Sequence, residues 1–593
     1  MFRRLTDETR PAVAILVDGV RVTAREGDSI AAAMLAAGHP VARRTALSGA
    51  PRAPFCLMGV CFDCLVTIDG LGNRQGCMTA VREGMRVESL PQPDSDISDL
   101  GWEGIGPSLP QPSASPSSES ISHPPDLRER YDVAVVGAGP AGLAAARLCA
   151  EAGLDTVLFD EQAHPGGQVY RCVTASPLSR DTVLGEDYWR GGALVRAALG
   201  SGAHYVPGAN VWGLLREGEI AVSVAGRSRL VEARRIILAT GAIERPFPIP
   251  GWTLPGVMTA GGAQILLKSS GLVPRGCTVL AGCGPLLWLI AWQYLNAGVR
   301  LDAVLDTTPQ ANRGRALRHA ASFAVSPYFA EGLRLMLAVR RKLRVIGSIV
   351  ALEAQGGGRL ESVSYRASGG REQRLGADTL LLHQGVVPNV NLAMAAGVAH
   401  RWSDAQLCFV PVLDQHGSTN VPGLAIAGDG AGIAGAEAAE ARGALAALAA
   451  IRAIKPQLQI AAEENAARAQ LRPFERGRAL LDSLFRPAAQ FRRPQGETLA
   501  CRCEEVTARE ISDTVALGCP GPNQMKAFLR CGMGPCQGRL CGLTVTELMA
   551  QMRGVPPAEI GYYHLRPPVK PITLAELAGL PTNEAAAKAV VRE

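Results

Sequence analysis

The sequence predicts a multidomain chain: a small α+β unit at the N-terminus, an α/β core of two lobes, and a small cysteine-rich unit near the C-terminus. Three observations support this fold class. The 593 residues exceed what one hydrophobic core organises, because domains usually hold roughly 100–200 residues. Strand-like and helix-like segments alternate from about residue 131 to 454, where two glycine-rich turns mark two lobes. Cysteines cluster on either side of this core, four between residues 56 and 77 and six between residues 501 and 541.

Composition and motifs divide the chain into five segments. Residues 110–118 hold the densest run of Pro and Ser, a composition that cannot bury a core and predicts a linker. A proline-rich stretch at residues 566–571 predicts an extended tail. The predicted segments are the N-terminal unit (1–91), the linker (92–128), the core (129–490, with the second lobe inserted at about 250–380), the C-terminal unit (491–555) and the tail (556–593).

Composition and charge exclude several classes of function. Hydrophobic residues make up 47% and charged residues 19%, as in an ordinary globular protein, whereas aromatic residues reach only 5%. The net charge of +6 is spread without a dense Lys/Arg stripe, so we expect no nucleic-acid partner. Residues 1–8 carry no apolar signal core, and no run of about 18 apolar residues is present. We therefore expect a cytoplasmic protein.

The N-terminal unit contains two local signals. Two short apolar strands flank the turn Asp18-Gly19, which predicts a hairpin. Ser29 is placed to cap a helix over Ile30–Ala37, which Gly38 ends. A cysteine-rich loop follows this helix.

Clustered cysteines in a reducing compartment indicate metal or iron–sulfur ligation instead of disulfides. In the first set, Cys56, Cys61, Cys64 and Cys77 follow the spacing C-x4-C-x2-C-x12-C. This spacing resembles that of plant-type [2Fe-2S] ferredoxins, and Gly59 lets the backbone come close to the cluster. A zinc site or ordinary buried cysteines are the alternatives, although zinc sites more often pair two C-x2-C units.

The first glycine-rich turn opens the core. An apolar strand at residues 132–136 runs into G-x-G-x-x-G and then into a helix, which is the context in which this motif binds a dinucleotide. The glycines allow a tight turn and let a pyrophosphate approach the helix N-terminus. A second strand ends at Asp160 and Glu161, where an acid is placed to bond an adenosine ribose. The predicted cofactor-binding residues of the turn are Gly137, Gly139, Pro140, Ala141 and Gly142.

Two later segments favour FAD over NAD at this turn. One is a strand that ends in Ala-Thr-Gly, at Thr240 and Gly241, and the other follows a later strand with Gly428 and Asp429. Both segments resemble the pyridine-nucleotide–disulfide reductase-like flavoproteins. That resemblance implies that Asp429 bonds the ribityl chain of FAD and that the following helix points its positive end at the flavin. The alternative is that Asp429 only caps that helix.

The second glycine-rich turn, at Gly282 and Gly284, has Leu287 in place of the third glycine. A leucine there would crowd either the helix–strand packing or the ligand, so the sequence does not favour NAD(P)H as a cofactor. A structural relic and a working NAD(P)H site both stay open. The apolar stretch at residues 278–297 includes Gln293 and predicts a buried βα unit instead of a membrane helix. The core lacks a redox C-x2-C pair, which argues against disulfide-reductase chemistry.

The second cysteine set lies in the C-terminal unit. Its spacing, C-x-C followed after 32 residues by C-x4-C, resembles that of the bacterioferritin-associated-ferredoxin type of [2Fe-2S] domain. The resemblance implies a small helical unit in which Cys531 is not a ligand. Structural zinc is the alternative. The implied ligands are Cys501, Cys503, Cys536 and Cys541.

The order of these modules resembles the large subunits of the hydrogen cyanide synthase, opine oxidase and heteromeric sarcosine oxidase group. The run Pro165-Gly166-Gly167-Gln168 also carries the resemblance, which implies that Gly167 and Gln168 contact the cofactor. The implied fold is a ferredoxin-like unit, a flavoprotein core with two dinucleotide-binding domains, and a small helical [2Fe-2S] domain. The implied function is an electron-transfer flavo-iron–sulfur subunit of a heteromeric FAD-dependent dehydrogenase or oxidase. Its amine or amino-acid substrate would be of the opine, glycine, sarcosine or hydroxyproline type.

The resemblance also implies cofactors and partners. These are FAD and two [2Fe-2S] clusters, a partner catalytic FAD-containing subunit of amino-acid-oxidase type, and quinone or oxygen as final acceptor. It allows an FMN at the subunit interface and peripheral contact with a membrane. Since the chain has no G-x-S-x-G and no H-E-x-x-H motif, we predict no catalytic side chain and expect the cofactors to carry the chemistry. Two alternatives stay open: a self-contained NAD(P)H-dependent reductase, and a non-redox protein with a structural adenine nucleotide and zinc at both ends.

Overall fold

The computed structural model describes residues 1–5, 10–90, 127–180, 183–215 and 218–580. The predicted linker at residues 92–128 lies outside these ranges except for its last two residues, and so does the end of the predicted tail after residue 580. Within the described ranges, no helix is both long enough and apolar enough to cross a lipid bilayer.

The N-terminal unit is a mixed five-stranded sheet with one helix against it. Its elements are β1 (Phe2–Arg4), β2 (Ala12–Val17), β3 (Val20–Arg25), α1 (Ile30–Ala37), β4 (Arg43–Arg44), β5 (Pro51–Arg52), β6 (Leu65–Ile68), β7 (Leu71–Gln75) and β8 (Arg86–Ser89). The strands of the sheet stand in the order β3-β2-β8-β6-β7. The apolar faces of this sheet and of α1 close a small core of their own.

The predicted hairpin and helix of this unit are confirmed. Strands β2 and β3 pair antiparallel across the turn Asp18-Gly19. The Ser29 hydroxyl accepts a hydrogen bond from the Ala32 N–H, and α1 ends at Gly38, which is left-handed with φ 85°. A capping hydroxyl and a C-terminal glycine both satisfy backbone groups that a helix end leaves unpaired.

The core begins with the first part of its first lobe. Its elements are β9 (Arg130–Val136), α2 (Pro140–Glu151), β10 (Thr156–Asp160), α3 (Glu186–Leu199), β11 (His204–Pro207), β12 (Asn210–Leu214), β13 (Glu219–Val224), β14 (Arg227–Leu238) and β15 (Ala242–Glu244). All five residues of β10 are buried, as expected for a strand covered by helices on both faces of a parallel sheet.

The second lobe follows in the chain. Its elements are β16 (Val257–Thr259), α4 (Ala260–Ser270), β17 (Leu272–Pro274), β18 (Thr278–Cys283), α5 (Pro285–Asn296), β19 (Ala303–Asp306), α6 (Ala311–Leu317), α7 (Ala320–Ala324), α8 (Tyr328–Lys342), β20 (Val345–Ile346), β21 (Ile349–Gln355), β22 (Ser362–Ala367), β23 (Glu372–Gly376) and β24 (Thr379–Gln384). β18 and α5 confirm the predicted buried βα unit. β17 also pairs antiparallel with β1, which attaches the start of the chain to this lobe.

The chain then returns to the first lobe and leaves it through long helices. The elements are β25 (Val386–Pro388), α9 (Asn391–Ala395), β26 (His400–Ser403), β27 (Cys408–Pro411), β28 (Leu424–Ile426), a 3₁₀ helix (Gly428–Ala431), α10 (Ala436–Ile454), α11 (Ala461–Leu484) and α12 (Ala489–Arg492). α10 packs very closely on α2 at Gly443. A Cβ at this position would lie 2.1 Å from the Ala141 carbonyl oxygen, so only glycine fits here.

The strand order of the two lobes predicts where a ligand binds. The first lobe has the order β11-β10-β9-β14-β13-β12, with β28 also paired to β14. β9 pairs in parallel with β10 on one side and with β14 on the other. The carboxyl end of β9 is therefore a switch point, the place where doubly wound sheets bind their ligands. The second lobe is a parallel sheet in the order β16-β24-β18-β19-β20.

The C-terminal unit is a strand pair followed by helices. Its elements and those of the tail are β29 (Leu499–Cys501), β30 (Val506–Thr507), α13 (Ala508–Ala516), α14 (Pro522–Leu529), α15 (Gly542–Arg553), α16 (Pro557–Ile560) and α17 (Leu574–Ala578). The tail is not extended throughout, since α16 and α17 lie within it, but its proline-rich stretch at residues 566–571 lies outside helices and strands, as predicted. α17 begins with a capping box in which Thr573 and Glu576 satisfy each other's backbone N–H groups.

A candidate dinucleotide site between two cysteine sets

A cavity of about 930 Å³ lies at the carboxyl end of β9. This volume is at the upper end of the range of roughly 300–1,000 Å³ that is typical of small-molecule and cofactor sites. All predicted cofactor-binding residues except Gly142 line the cavity. Its wall also includes Met58 and Val60 from the first cysteine loop and Arg539 from the second.

Each of the three positions in the first turn favours glycine for a different structural reason. A Cβ at Gly142 would lie 1.8 Å from the Gly137 carbonyl oxygen, so this glycine permits the close packing of α2 on β9. Gly137 has φ 106°, and a Cβ there would lie 2.4 Å from the Ala239 carbonyl oxygen. Gly139 faces the cavity with ordinary backbone angles, φ −76° and ψ −178°. Pro140 begins α2, whose N-terminal N–H groups provide the positive end that favours a pyrophosphate.

The Pro-Gly-Gly-Gln run forms a second loop against this turn. The Gly166 N–H donates to the Ala138 carbonyl oxygen at 2.8 Å. Gly167 has φ 61°, and a Cβ there would lie 2.8 Å from the Gly139 Cα. Gln168 accepts a hydrogen bond from the Arg171 guanidinium at 2.8 Å. The structure therefore brings Gly167 and Gln168 to the cavity wall beside the first turn.

The two acids at the end of β10, Asp160 and Glu161, line the cavity and already have partners within the protein. The Asp160 carboxylate accepts hydrogen bonds from the backbone N–H groups of Ala138, at 2.6 Å, and Gln162, at 2.7 Å. Burial raises the pKa of Asp160. Glu161 pairs with Lys570, which arrives from the C-terminal tail. Contact of either acid with an adenosine ribose stays a prediction, and Lys570 is a cationic neighbour that local sequence patterns could not reveal.

The two later segments also meet at the cavity. The Gly241 carbonyl oxygen accepts from the Asn389 N–H at 3.0 Å, which fixes the turn that contains Thr240. One carboxylate oxygen of Asp429 accepts from the N–H groups of Ala434, at 2.8 Å, and Gly435, at 3.0 Å. Asp429 thus holds the loop that leads into α10 while it lines the cavity.

This double position of Asp429 leads to a testable difference between two variants. Asp429→Ala should weaken flavin binding and loosen the loop, because it removes both the carboxylate and the acceptor for two backbone N–H groups. Asp429→Asn keeps an acceptor oxygen and should weaken flavin binding while the loop stays in place. Flavin content after gel filtration and thermal unfolding of the flavin-free chain measure the two effects separately. Unchanged flavin content in both variants would contradict the assignment of Asp429 to the cofactor.

Lys268 and Arg171 are buried cations of the cavity that sequence motifs did not single out. The Lys268 ammonium donates to the Val169 carbonyl oxygen at 2.9 Å and to the Gln264 side chain at 3.0 Å. Burial, with a further contribution from Arg171, lowers the pKa of Lys268 to about 7. The local signal for Lys268 is weak: it stands one helical turn after Gln264 in a mostly apolar, buried helix.

The second glycine-rich turn does not repeat the geometry of the first. Leu287 is fully buried in the core of the second lobe. Gly284 has φ 121°, in contrast to Gly139, and the His383 ring lies 3.1 Å from where its Cβ would stand. His383 is itself held by Glu244, with 2.6 Å between the Nδ1 and carboxylate oxygen. This turn is therefore packed differently, and absence of NAD(P)H use stays a prediction.

The first cysteine set converges in the N-terminal unit. All four predicted cysteines are buried. They lie in two neighbouring pairs within hydrogen-bond reach, Cys56 beside Cys61 and Cys64 beside Cys77. A [2Fe-2S] cluster takes two thiolates on each iron, so two neighbouring pairs fit its donor set. The Asp63 N–H points at the Cys61 sulfur at 3.5 Å, in the manner of backbone groups that tune iron–sulfur centres.

The second cysteine set converges in the C-terminal unit. Cys501 lies within hydrogen-bond reach of Cys541, and Cys503 of Cys536. A Cβ at Gly534 would lie 2.3 Å from the Cys503 Cβ, so a glycine is needed for the two halves of the set to meet. The buried thiol of Cys531 also lies within hydrogen-bond reach of Cys501. Among the described residues, no three His, Cys, Asp or Glu side chains have the geometry of a single metal-ion site.

Three segments of the chain match known protein families. Residues 10–92 match the 2Fe-2S iron-sulfur cluster binding domain. Residues 131–444 match the pyridine nucleotide-disulphide oxidoreductase family. Residues 496–580 match the sarcosine oxidase A3 domain. The first two matches confirm the predicted N-terminal 2Fe-2S domain and flavoprotein core.

Several curated proteins are similar to most of the chain. The A-subunit of opine oxidase from Agrobacterium tumefaciens strain Ach5 is 49% identical over 482 residues, which is 79% of this chain and 96% of that protein. Hydrogen cyanide synthase subunit HcnB of Pseudomonas aeruginosa is 32% identical over 76% of this chain and 98% of that protein. The alpha subunit of sarcosine oxidase from Rhizobium meliloti is 25% identical over 98% of this chain and 59% of that protein.

One solved structure is similar over almost the full length. L-proline dehydrogenase from P. horikoshii superimposes with a TM-score of 0.69 at 18% sequence identity, over 97% of this chain and 99% of that chain. At this level of identity the likeness establishes the fold alone.

Proposed function

The chain belongs to the opine oxidase A-subunit family, and from this we propose that it is the electron-transfer flavo-iron–sulfur subunit of a heteromeric enzyme that oxidises amines or amino acids. It is an oxidoreductase subunit with a 2Fe-2S domain and a flavoprotein core. The finer assignment includes FAD at the first glycine-rich turn and two [2Fe-2S] clusters, one at each cysteine set. It also includes a partner subunit that carries out substrate oxidation.

A single observation carries this proposal: both cysteine loops help to build the wall of the dinucleotide cavity. Met58 and Val60 lie between Cys56 and Cys61, and Arg539 lies between Cys536 and Cys541. Electron tunnelling falls steeply with distance, so loops that hold redox centres belong next to the group with which they exchange electrons. A nucleotide bound only as structural support would not need both loops at its side.

The proposed FAD and [2Fe-2S] clusters would have different roles in electron transfer. A bound FAD accepts electrons in pairs and a [2Fe-2S] cluster carries one at a time, so together they convert pairs into single electrons. The chain's own residues bind, orient and shield these groups. Arg539 donates to the carbonyl oxygens of Cys536 and Val569, each at 3.0 Å. This contact ties the second cysteine loop to the tail segment that lines the cavity.

The substrate class follows the opine oxidase relative that is 49% identical to this chain. We propose an opine, an amino acid whose nitrogen carries a second carboxyalkyl group, as the substrate of the assembled enzyme. Glycine, sarcosine and hydroxyproline types are the alternatives for an amine screen. Quinone or oxygen serves as final acceptor, and an FMN at the subunit interface is a further part of the proposal.

An exposed apolar stripe on α8 is our proposed contact for the partner subunit. Phe329, Leu333 and Leu337 follow one another at four-residue spacing on one helix face, and each is more than 40% exposed. Exposed apolar surface of this kind usually marks a protein interface. The same helix contributes Tyr328 and Arg334 to the cavity wall. A partner docked here would bring its own flavin towards this cavity.

Co-expression with the amino-acid-oxidase-like partner tests the proposal. Anaerobic addition of an opine should bleach the flavin of this chain in the complex and should leave the isolated chain unchanged. Leu333→Glu should weaken co-purification of the two subunits, because it places a charge in the stripe. Leu574→Glu, at an exposed leucine of the tail, is the matched control and should have no effect.

Three results would contradict the proposal. Full-rate amine oxidation by the isolated chain would show that no catalytic partner is needed. Direct bleaching by NADH or NADPH would favour the self-contained reductase instead. A purified chain that has no flavin absorbance and contains zinc in place of iron would exclude an electron relay.

A further inference from the structure

The two cysteine loops touch each other through one buried ion pair. The Arg502 Nε donates to the Asp63 carboxylate at 2.9 Å, and both side chains are at most 2% exposed. Asp63 comes from the N-terminal unit and Arg502 from the C-terminal unit, 439 residues apart in the chain. The second carboxylate oxygen of Asp63 accepts from Arg43 at 3.0 Å.

Arg502 is held rigidly by two aromatic rings. Its guanidinium carbon lies 3.9 Å from the centre of the Phe55 ring and 4.6 Å from that of the Trp252 ring. A second guanidinium nitrogen donates to the Trp252 carbonyl oxygen at 2.7 Å. The Trp252 indole N–H in turn donates to the Leu499 carbonyl oxygen at 2.9 Å. Stacking and hydrogen bonds together fix both the position and the plane of the guanidinium.

Each partner of this contact is covalently next to predicted cluster ligands. Arg502 stands between Cys501 and Cys503, and Asp63 directly precedes Cys64. Phe55, which stacks on Arg502, directly precedes Cys56. A path from one cysteine set to the other therefore runs along covalent bonds with a single non-covalent step of 2.9 Å.

Domain attachment alone does not account for this pair. A second interdomain ion pair already joins the same two units, with 2.7 Å between Arg52 and Glu505. Ser48 also donates to Glu505 through its backbone and hydroxyl groups. Buried ion pairs are often no more stabilising than packed apolar side chains, because both charges must be removed from water.

We propose that Asp63 and Arg502 form the direct electron-transfer bridge between the two clusters. This inference rests on the proposed function, since it requires a cluster at each cysteine set. In each transfer one cluster loses a single electron and the other gains it, so one is oxidised and the other reduced. No bond forms or breaks and no proton moves. Asp63 and Arg502 act as positioning residues for this exchange.

The test measures exchange between the clusters inside the loaded chain. Laser-flash photoreduction of the holoprotein supplies one electron, and visible absorbance follows its movement between the two clusters. Variants that contain only one cluster supply the reference spectra. Arg502→Met should slow the exchange by about tenfold or more. This is the scale on which residues just outside a metal centre change the activity of that centre. Arg502→Lys keeps the charge, loses the planar contact, and should give an intermediate rate.

Arg52→Met is the matched control for the test. It removes a buried interdomain arginine of the same type but leaves Asp63 and Arg502 in contact. Its exchange rate should stay within about twofold of the parent rate, an effect well below that scale. Equal slowing in Arg52→Met and Arg502→Met would overturn the proposal, because the cause would then be loosened docking. An unchanged rate in Arg502→Met, or a shift of reduction potential with no slowing, would also overturn it.

The outcome separates this inference from the proposed function. Iron content and EPR of the parent chain are measured first, because a parent chain with only one cluster would contradict the proposed function itself. If the parent chain holds two clusters and Arg502→Met leaves the exchange rate unaltered, only the bridge proposal is contradicted. If Arg502→Met does not fold, Arg502→Lys answers the same question, and a parent-like rate in that variant counts against the bridge.

Discussion

Cys64→Ser is expected to remove the N-terminal cluster and to leave the C-terminal cluster in place. Iron should fall from about four to about two atoms per chain, at two irons per cluster. The reason is chemical: Cys64 is buried beside Cys77, and a serine hydroxyl at its position is a much poorer ligand for an iron–sulfur cluster than a soft thiolate. EPR of the reduced protein should lose one of two distinct signals.

Cys536→Ser should instead remove the C-terminal cluster and leave the N-terminal cluster in place. It removes a thiol that pairs with Cys503 and should abolish the C-terminal signal while the N-terminal one persists. Either variant should nearly abolish electron delivery from the partner to the final acceptor if both clusters lie in series. Substrate-driven bleaching of the flavin should survive in both.

Two other cysteines of the C-terminal unit serve as controls. Cys519 is buried and its thiol donates to the Gly521 carbonyl oxygen, so Cys519→Ser should keep all the iron. Cys531→Ser tests the prediction that Cys531 is not a ligand, although it lies beside Cys501. Loss of the C-terminal cluster in Cys531→Ser with retention in Cys541→Ser would contradict the predicted ligand set.

The elements that the sequence predicts well are those with local causes. The Asp18-Gly19 hairpin and the helix capped by Ser29 depend on residues within a few positions of one another. The first glycine-rich turn is recognisable because strand, turn and helix follow directly in the chain. The third glycine has a local reason too, since a Cβ at Gly142 would strike the Gly137 carbonyl oxygen.

The parts that the sequence does not predict depend on contacts between distant segments. Lys570 reaches Glu161 across 409 positions, so no window of sequence contains both. The Asp63–Arg502 contact spans two domains for the same reason. The hydrogen bond from the Ala138 N–H to the Asp160 carboxylate spans 22 positions and is likewise not evident from a short window of sequence. Lys268 gives little local signal because its partners are mostly backbone carbonyl oxygens of another loop.

Gly139→Leu is expected to weaken flavin binding strongly without disturbing the fold. Gly139 has φ −76°, which any residue adopts, and the nearest atom to a Cβ there is the Gly167 Cα at 3.9 Å. The added side chain would therefore enter the cavity beside the α2 N-terminus, where the pyrophosphate is predicted to lie. Overfilling a packed site by this much costs about 1–3 kcal/mol or more, which corresponds to roughly 5–150-fold in affinity.

Flavin absorbance per chain and flavin fluorescence on release measure this effect. Gly314→Leu is the matched control, since it makes the same substitution at an α6 glycine with open space around it. Gly142→Ala is the contrasting case, because its Cβ would lie 1.8 Å from the Gly137 carbonyl oxygen and should destabilise the whole lobe. Normal flavin content in a folded Gly139→Leu chain would contradict the placement of the pyrophosphate at this turn.

The iron content of the Gly139→Leu chain carries the argument one step further. Both cysteine sets close through contacts within their own units, Cys56 with Cys61 in one and Cys503 with Cys536 in the other. A flavin-free chain should therefore keep about four irons, at two per cluster, and electron exchange between the clusters should continue across Arg502 and Asp63. Loss of iron together with flavin would mean that the cavity holds the cysteine loops in place, and the three sites would then form one cooperative unit.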